Sequence, residues 1–224
     1  MDEIRLRPSS PPLTWIVFKI YQLCNLNCTY CYVYNRGDLS WKTRPKVVSD
    51  EVVEGLARRI SAHCRRYDIK KFVLEFHGGE PLLVGKDRFA NILRIFQQTC
   101  EGVDLDLNIQ TNGVLLDREW VELLNRHSVG IGISLDGPAQ IADQSRKFRN
   151  GKGSTERILR NLRELRLFFG DEFRFGGLCV VNPQISGAEM MAWFREQQIE
   201  SIDFLLPLGN YSNLPDGWVG HEPY

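Results

Sequence analysis

Cys24-Asn25-Leu26-Asn27-Cys28-Thr29-Tyr30-Cys31 places three cysteines at spacing C-x3-C-x2-C, directly after the apolar run Trp15-Ile16-Val17-Phe18-Lys19-Ile20. Thiolates this close on one loop can cap a face of an inorganic cluster. A structural zinc site closes its tetrahedron with four ligands, and no second C-x2-C or H-x3-H partner follows, so the spacing fits a four-iron cluster with one open iron better. Cys24, Cys28 and Cys31 are therefore the candidate metal ligands and the candidate catalytic centre.

Working outward, the 224-residue chain is 43% hydrophobic and 25% charged, enough to bury one sizeable core. Lys+Arg and Asp+Glu balance at 28 each, so nothing points to nucleic acid or an anionic membrane as partner. No apolar stretch reaches spanning length and Met1-Asp2-Glu3-Ile4-Arg5 lacks the pattern of a signal peptide. Of the six cysteines, three crowd into the loop, which fits a reducing compartment better than a disulfide framework. A cytoplasmic protein is expected.

Residues 1–13, with Pro8-Ser9-Ser10-Pro11-Pro12, read as a flexible lead-in. From Thr14 onward, strand-like runs alternate with amphipathic patterns. Strands are expected near Trp15 to Tyr21, Lys71 to Phe76, Leu105 to Gln110, Val129 to Leu135, Phe173 to Val181 and Ser201 to Leu206. Between them, Val53, Leu56, Ala57, Ile60 and Cys64 share one helical face after the cap Ser49-Asp50, and Phe89, Leu93, Phe96 and Cys100 share another. Cys64, Cys100 and Cys179 then read as buried thiols. Repeated βα units imply a parallel α/β sheet with right-handed crossovers, and six strands fall short of the eight that close a full barrel. Residues 14–207 form the expected core domain. Residues 208–224 read as a loop segment, with no auxiliary-cluster domain present.

The cysteine spacing, with the aromatic Tyr30 just before the last cysteine, resembles the radical S-adenosylmethionine (SAM) superfamily, in its peptide- and protein-modifying branch. That resemblance implies an open (β/α)6 barrel of TIM-like type, a [4Fe-4S] cluster and SAM as cofactors, and chemistry at the C-terminal ends of the strands. It also assigns roles. Phe76-His77-Gly78-Gly79-Glu80-Pro81 matches the family's Gly-Gly-Glu turn, so Gly78, Gly79 and Glu80 would hold the amino group of the SAM methionine moiety. On the residues alone, the glycines let backbone approach a ligand and the glutamate offers an acceptor. Gln110-Thr111-Asn112-Gly113 suits a turn by itself, and the resemblance adds Thr111 and Asn112 as cofactor neighbours.

In Ser134-Leu135-Asp136-Gly137-Pro138, strand alternation sends Ser134 and Leu135 to opposite faces, and one of them must face the barrel mouth. The resemblance gives Ser134 the SAM ribose, Arg146 the SAM carboxylate and Leu206 the adenine, with Tyr30 beside the cofactor. Asp143, Arg146 and Arg149 otherwise read as a solvated loop. His77 stands where sulfatase maturases of this family usually carry glutamine.

The resemblance implies an oxidoreductase in which the cluster's electron cleaves SAM to methionine and a 5′-deoxyadenosyl radical, which takes hydrogen from a peptide or protein substrate. An electron donor such as flavodoxin or ferredoxin would be needed. The expected product is a side-chain crosslink in a ribosomally synthesised peptide. The alternatives are sulfatase-maturase-like oxidation of a cysteine or serine, and a non-catalytic core that binds a leader peptide.

Overall fold

The structure, a computed structural model, describes residues 12–208. The expected lead-in and C-terminal loop therefore lie almost wholly outside the described residues. Six parallel strands follow one another across a single sheet: β1 Trp15–Tyr21, β2 Lys71–Gly78, β3 Asp104–Thr111, β4 Gly130–Ser134, β5 Gly176–Val180 and β6 Ile202–Leu205. The crossovers carry helices α1 Asp50–Tyr67, α2 Lys86–Thr99, α3 Arg118–Arg126, α4 Ala139–Ser145, α5 Thr155–Phe169 and α6 Gly187–Glu196. This is the anticipated open α/β barrel. The fourth and fifth strands are shorter than their apolar runs, with Val129, Leu135 and Phe173 buried beyond the paired segments, and the sixth is one residue shorter at each end than expected.

Alternation along the strands decides what reaches the site. In β2, Phe72, Leu74 and Phe76 are buried in the core, and the intervening Glu75 and His77 are only partly buried. In β3, Leu107, Ile109 and Thr111 are buried while Asn108 and Gln110 take the other face. The neighbouring β4 is cut back to make room: a Cβ on Gly132 would run into the Gln110 amide. Gln110 instead donates to the Ser134 hydroxyl at 2.9 Å.

The helices start where their caps allow. Ser49 accepts from Val52 N at the head of α1, and Ser186 with Glu189 forms a reciprocal capping box on α6. Their apolar faces pack on the sheet, with Val53, Ala57, Ile60 and Cys64 of α1 and Phe89, Leu93 and Phe96 of α2 all buried. Cys64, Cys100 and Cys179 are buried as their positions implied.

Phe76 lies at the centre of this packing, edge-on to Phe89 at 5.1 Å and to Phe96 at 6.0 Å, and is fully buried. Phe76→Ala should lower unfolding stability by about 3–5 kcal/mol. Urea titration read by circular dichroism measures this, and a loss below about 1 kcal/mol would show that the cluster is not the keystone of the sheet.

Candidate functional site

The loop that follows β1 is pinned to the strand ends by backbone bonds. Gly79 N donates to Tyr21 O at 2.9 Å and Glu80 N to Leu23 O at 3.0 Å, so the Gly-Gly-Glu turn lies directly against the chain entering the cysteine loop. A Cβ on Gly78 would strike the Tyr21 backbone, and one on Gly79 would strike the Leu23 carbonyl and the Tyr34 hydroxyl. In this structure the missing side chains admit the protein's own backbone, and both glycines also line the cavity described below. On its far side the loop pairs with residues 145–149: Leu26 bridges Phe148, Asn27 N reaches Lys147 O at 2.7 Å and Thr29 N reaches Ser145 O at 3.1 Å.

Glu80 is wholly buried. One of its carboxylate oxygens accepts from Thr111 Oγ1 at 2.7 Å and Leu82 N at 3.0 Å, and the other from Asn112 N at 2.8 Å. Burial raises its pKa above the ordinary carboxylate range, opposed by those hydrogen bonds. With three of about four acceptor sites in use, Glu80 ties β2 to β3 and is not itself in the cavity wall. Asn112 continues the link by donating to Asn25 Oδ1 at 2.8 Å and approaching Cys24 Sγ at 3.7 Å.

A second buried network crosses the mouth of the barrel. The Tyr30 hydroxyl donates to Asp136 Oδ2, and Arg146 Nη1 donates to the Tyr30 oxygen at 2.9 Å and lies 3.8 Å from Asp136 Oδ2. Asp136 Oδ1 accepts from Val180 N at 3.0 Å, so one carboxylate joins β4, β5 and the cysteine loop. Burial holds the Tyr30 phenol protonated, well above its ordinary range. Burial works against the Arg146 charge, and Tyr30 and Asp136 more than offset it. Arg146 is only 6% exposed, so the solvated-loop alternative does not hold for it, whereas Arg149 is exposed. Asp143 is likewise engaged, accepting from Ser154 N, Thr155 N and Thr155 Oγ1. Arg149 donates to the Cys24 carbonyl at 3.1 Å.

These groups surround one cavity of about 530 Å3. Its wall takes in Cys24, Cys28, Cys31, Tyr30, Gly78, Gly79, Thr111, Asn112, Ser134, Arg146 and Leu206, which is every candidate site residue except Glu80. Ser134 is the strand residue that faces the mouth, and Leu135 is buried. Asp136, Gln110, Tyr34 and His77 also line the cavity. Sequence reasoning noted His77 only as a departure from the maturases and assigned the other three no role, although the Ser-Leu-Asp-Gly segment was a signal for Asp136.

The donor set fits a cluster with SAM beside it. All three loop sulfurs open onto the cavity, yet among the described residues no three Cys, His, Asp or Glu side chains converge as ligands of one ion. Burial pushes the Cys24 thiol up to about 12, and it also raises Cys28. Thiolates in such a place need a cationic partner, which iron supplies. Nε of Arg146 is buried without a hydrogen-bond partner, a donor free for an acceptor in the cavity.

An open parallel barrel that gathers three thiols and a buried arginine at the C-terminal strand ends is the architecture of a cofactor site. The sequence profile of the Radical SAM superfamily matches residues 18–186, and the chain belongs to that superfamily, whose members use a [4Fe-4S] cluster and SAM. Among its curated relatives, a cysteine-type anaerobic sulfatase-maturating enzyme of Clostridium perfringens is 27% identical over 87% of this chain and 52% of its own length. A serine-type counterpart from Bacteroides thetaiotaomicron is 31% identical over 71% of this chain and 38% of its own. The solved structure of native anSMEcpe with bound AdoMet superposes with TM-score 0.74 at 26% identity, covering 88% of this chain and 53% of that one. SuiB of Streptococcus suis, at 16% identity and TM-score 0.61, shares the fold. The chain thus spans about half the length of the first curated relatives it matches.

His77, in the cavity wall, has its pKa lowered by burial and then by the Lys19 charge. Between that value and the ordinary one of about 6.5, the unfolded chain binds a proton that the folded one refuses. Its contribution to stability is full above the ordinary value and is lost as pH falls through the folded one. Urea midpoints of the parent should therefore rise across this window more steeply than those of His77→Gln. Equal slopes would mean that His77 is not held neutral by the fold.

Proposed function

We propose that this chain is the SAM-cleaving core of an enzyme that abstracts hydrogen from a peptide. The observation that carries the reading is the single cavity shared by the three loop thiols and the unpartnered Arg146 Nε. When bound, a [4Fe-4S] cluster supplies the electron for reductive cleavage of SAM. The chain's own residues then hold the cofactor. Cys24, Cys28 and Cys31 ligate iron. Arg146 offers its fork to the SAM carboxylate, Ser134 faces the ribose, and Leu206, 60% exposed at the mouth, covers the adenine. The Gly78-Gly79 backbone lies in the cavity wall for the amino group, and Glu80 acts from behind it, holding the turn through Thr111, Leu82 and Asn112. A one-electron donor and a peptide are the partners.

The peptide outcome we propose is a side-chain crosslink, supported by His77 in place of the maturases' usual glutamine. Oxidation of a cysteine or serine is the second reading, favoured by the maturase relatives. A peptide in either case is supported by the related native anSMEcpe, which has been solved with bound AdoMet and Cp18Cys peptide.

Anaerobic reconstitution should give about four irons per chain, lost when the three loop cysteines become alanine. Arg146→Lys should keep the iron and weaken SAM binding about tenfold or more. With dithionite, SAM and a candidate peptide, 5′-deoxyadenosine should be released and the peptide should lose two hydrogens. Serine oxidation also removes two hydrogens, so a carbonyl-reactive hydrazide separates the readings: a crosslinked product stays unlabelled and an aldehyde is tagged. Stoichiometric zinc with no iron chromophore would overturn the whole proposal.

A further inference from the structure

Toward the N-terminal ends of the strands, the inner wall of this barrel is not filled as a closed barrel is, where bulky branched side chains pack the interior in layers. Gly130 and Gly132 occupy inward positions of β4, in register with Asn108 and Gln110 of β3, and Gly132 is in register with Gly176 of β5. The space they leave is a second cavity of about 480 Å3, whose wall includes Glu75, Asn108, Gln110, Gly130, Gly132 and Gly176. Gln110 belongs to the walls of both cavities, so the two meet at this side chain.

The two amides lie in that wall in the same way. A Cβ on Gly130 would stand 2.2 Å from Asn108 Oδ1, and one on Gly132 would stand 2.2 Å from Gln110 Oε1. Each oxygen is thus laid over a glycine of the neighbouring strand. Because those glycines are two residues apart, the oxygens repeat along β4 at about 6.6 Å. The amide nitrogens are engaged within the sheet, Asn108 Nδ2 donating to Asp106 Oδ1 at 3.1 Å and Gln110 Nε2 to Ser134 Oγ at 2.9 Å. Among the described residues nothing donates to either oxygen, and neither oxygen is sealed inside the wall.

An extended peptide presents the matching donors. The N–H groups along one edge of a strand recur at every second residue, again about 6.6 Å apart, and main-chain hydrogen bonds give affinity without reading side chains. We infer that Asn108 and Gln110 form a two-step acceptor ladder that holds the substrate peptide extended along the inner wall of the barrel, through two of its backbone N–H groups two residues apart. The inference rests on the proposed function in taking the ligand to be a peptide, and it names how that peptide is read. The ladder climbs toward the cofactor, since the next inward position of β4 after Gly132 is Ser134, which faces the site cavity. The residue that loses hydrogen is then at the upper end of the bound stretch, beside the one held by Gln110. The substrate class is a locally extended peptide with no proline at either bonded position, since proline has no N–H to donate, and with wide tolerance in the side chains there.

The probe is the tightest-binding dodecapeptide selected from a random library on the reconstituted full chain with SAM. Each backbone N–H of that peptide is replaced in turn by an ester oxygen, and affinity is read by fluorescence anisotropy. The parent chain should bind about threefold to tenfold more weakly when either of two positions, two residues apart, is an ester, with little change for the position between them. Asn108→Leu should abolish the ester effect at one of these positions and Gln110→Leu at the other, while Gln110→Glu, which keeps an acceptor, should retain it. SAM affinity of Asn108→Leu should equal that of the parent. Ester effects without the two-residue spacing would overturn the inference and leave the amides as fillers of the glycine spaces. So would effects that persist in both leucine variants, or a library from which the parent retains no peptide. Failure to bind iron or to release 5′-deoxyadenosine would instead sink the proposed function, while the ester scan, which reads binding alone, would still decide the ladder.

Discussion

A wholly buried carboxylate with no cationic partner at hydrogen-bonding distance is costly unless its lone pairs are met, and Glu80 meets that condition with hydrogen atoms from three directions. Two come from the C-terminal end of β3, through Thr111 and Asn112, and one from Leu82 in the turn that follows Glu80. Because Glu80 N also binds Leu23 O, the same residue holds the entrance to the cysteine loop. The position of Cys24 is thereby referred to two central strands rather than to a free loop. A loop built to hold a cluster benefits from such support, since ligand geometry and potential are set by the groups behind the ligands.

The Tyr30, Asp136 and Arg146 network anchors the opposite end of that loop. Its members come from the cysteine loop, the end of β4 and the segment after α4, and Val180 of β5 adds a fourth contact. Low dielectric strengthens each of these contacts and makes each unmet group expensive. The unmet donor of this network, Arg146 Nε, is consequently the most informative atom of the cavity. Asp136 balances the guanidinium charge at 3.8 Å and is joined to it through the Tyr30 hydroxyl. The two anchors divide the site between them: Glu80 supports the Cys24 end, and Tyr30 brings the Cys28 and Cys31 end against the strand termini.

Polar side chains on the inner strand face give the cavity its remaining character. Gln110 and Ser134 are joined across β3 and β4 because Gly132 leaves space for the Gln110 amide. Leu205, Leu206 and Leu208 form an apolar and exposed lip on the β6 side. Among the described residues no helix is long and apolar enough to cross a membrane. A polar floor with thiols, and an apolar rim open to solvent, suits a charged cofactor with a larger substrate beside it.

Much of this was legible in the residues themselves. Local periodicity is a property of neighbours in the chain, so the six strands, the core faces of α1 and α2, and the burial of Cys64 and Cys100 followed from alternation and helical spacing. The cysteine spacing and the Gly-Gly-Glu turn are likewise compact in sequence. Contacts between distant residues leave no such trace. The Tyr30 to Asp136 bond spans 106 positions and the Arg146 to Tyr30 bond spans 116, so Arg146 was reached only through the family resemblance and Asp136 was passed over. The same limit applied to Gly78 and Gly79, whose missing side chains make room for Tyr21 at the end of β1 and Leu23 in the loop after it. Sequence alone thus determined which elements form and marked three thiols as candidate metal ligands. Only the tertiary structure decided which polar groups meet in the interior, because burial forces pairing among whatever side chains the sheet brings together.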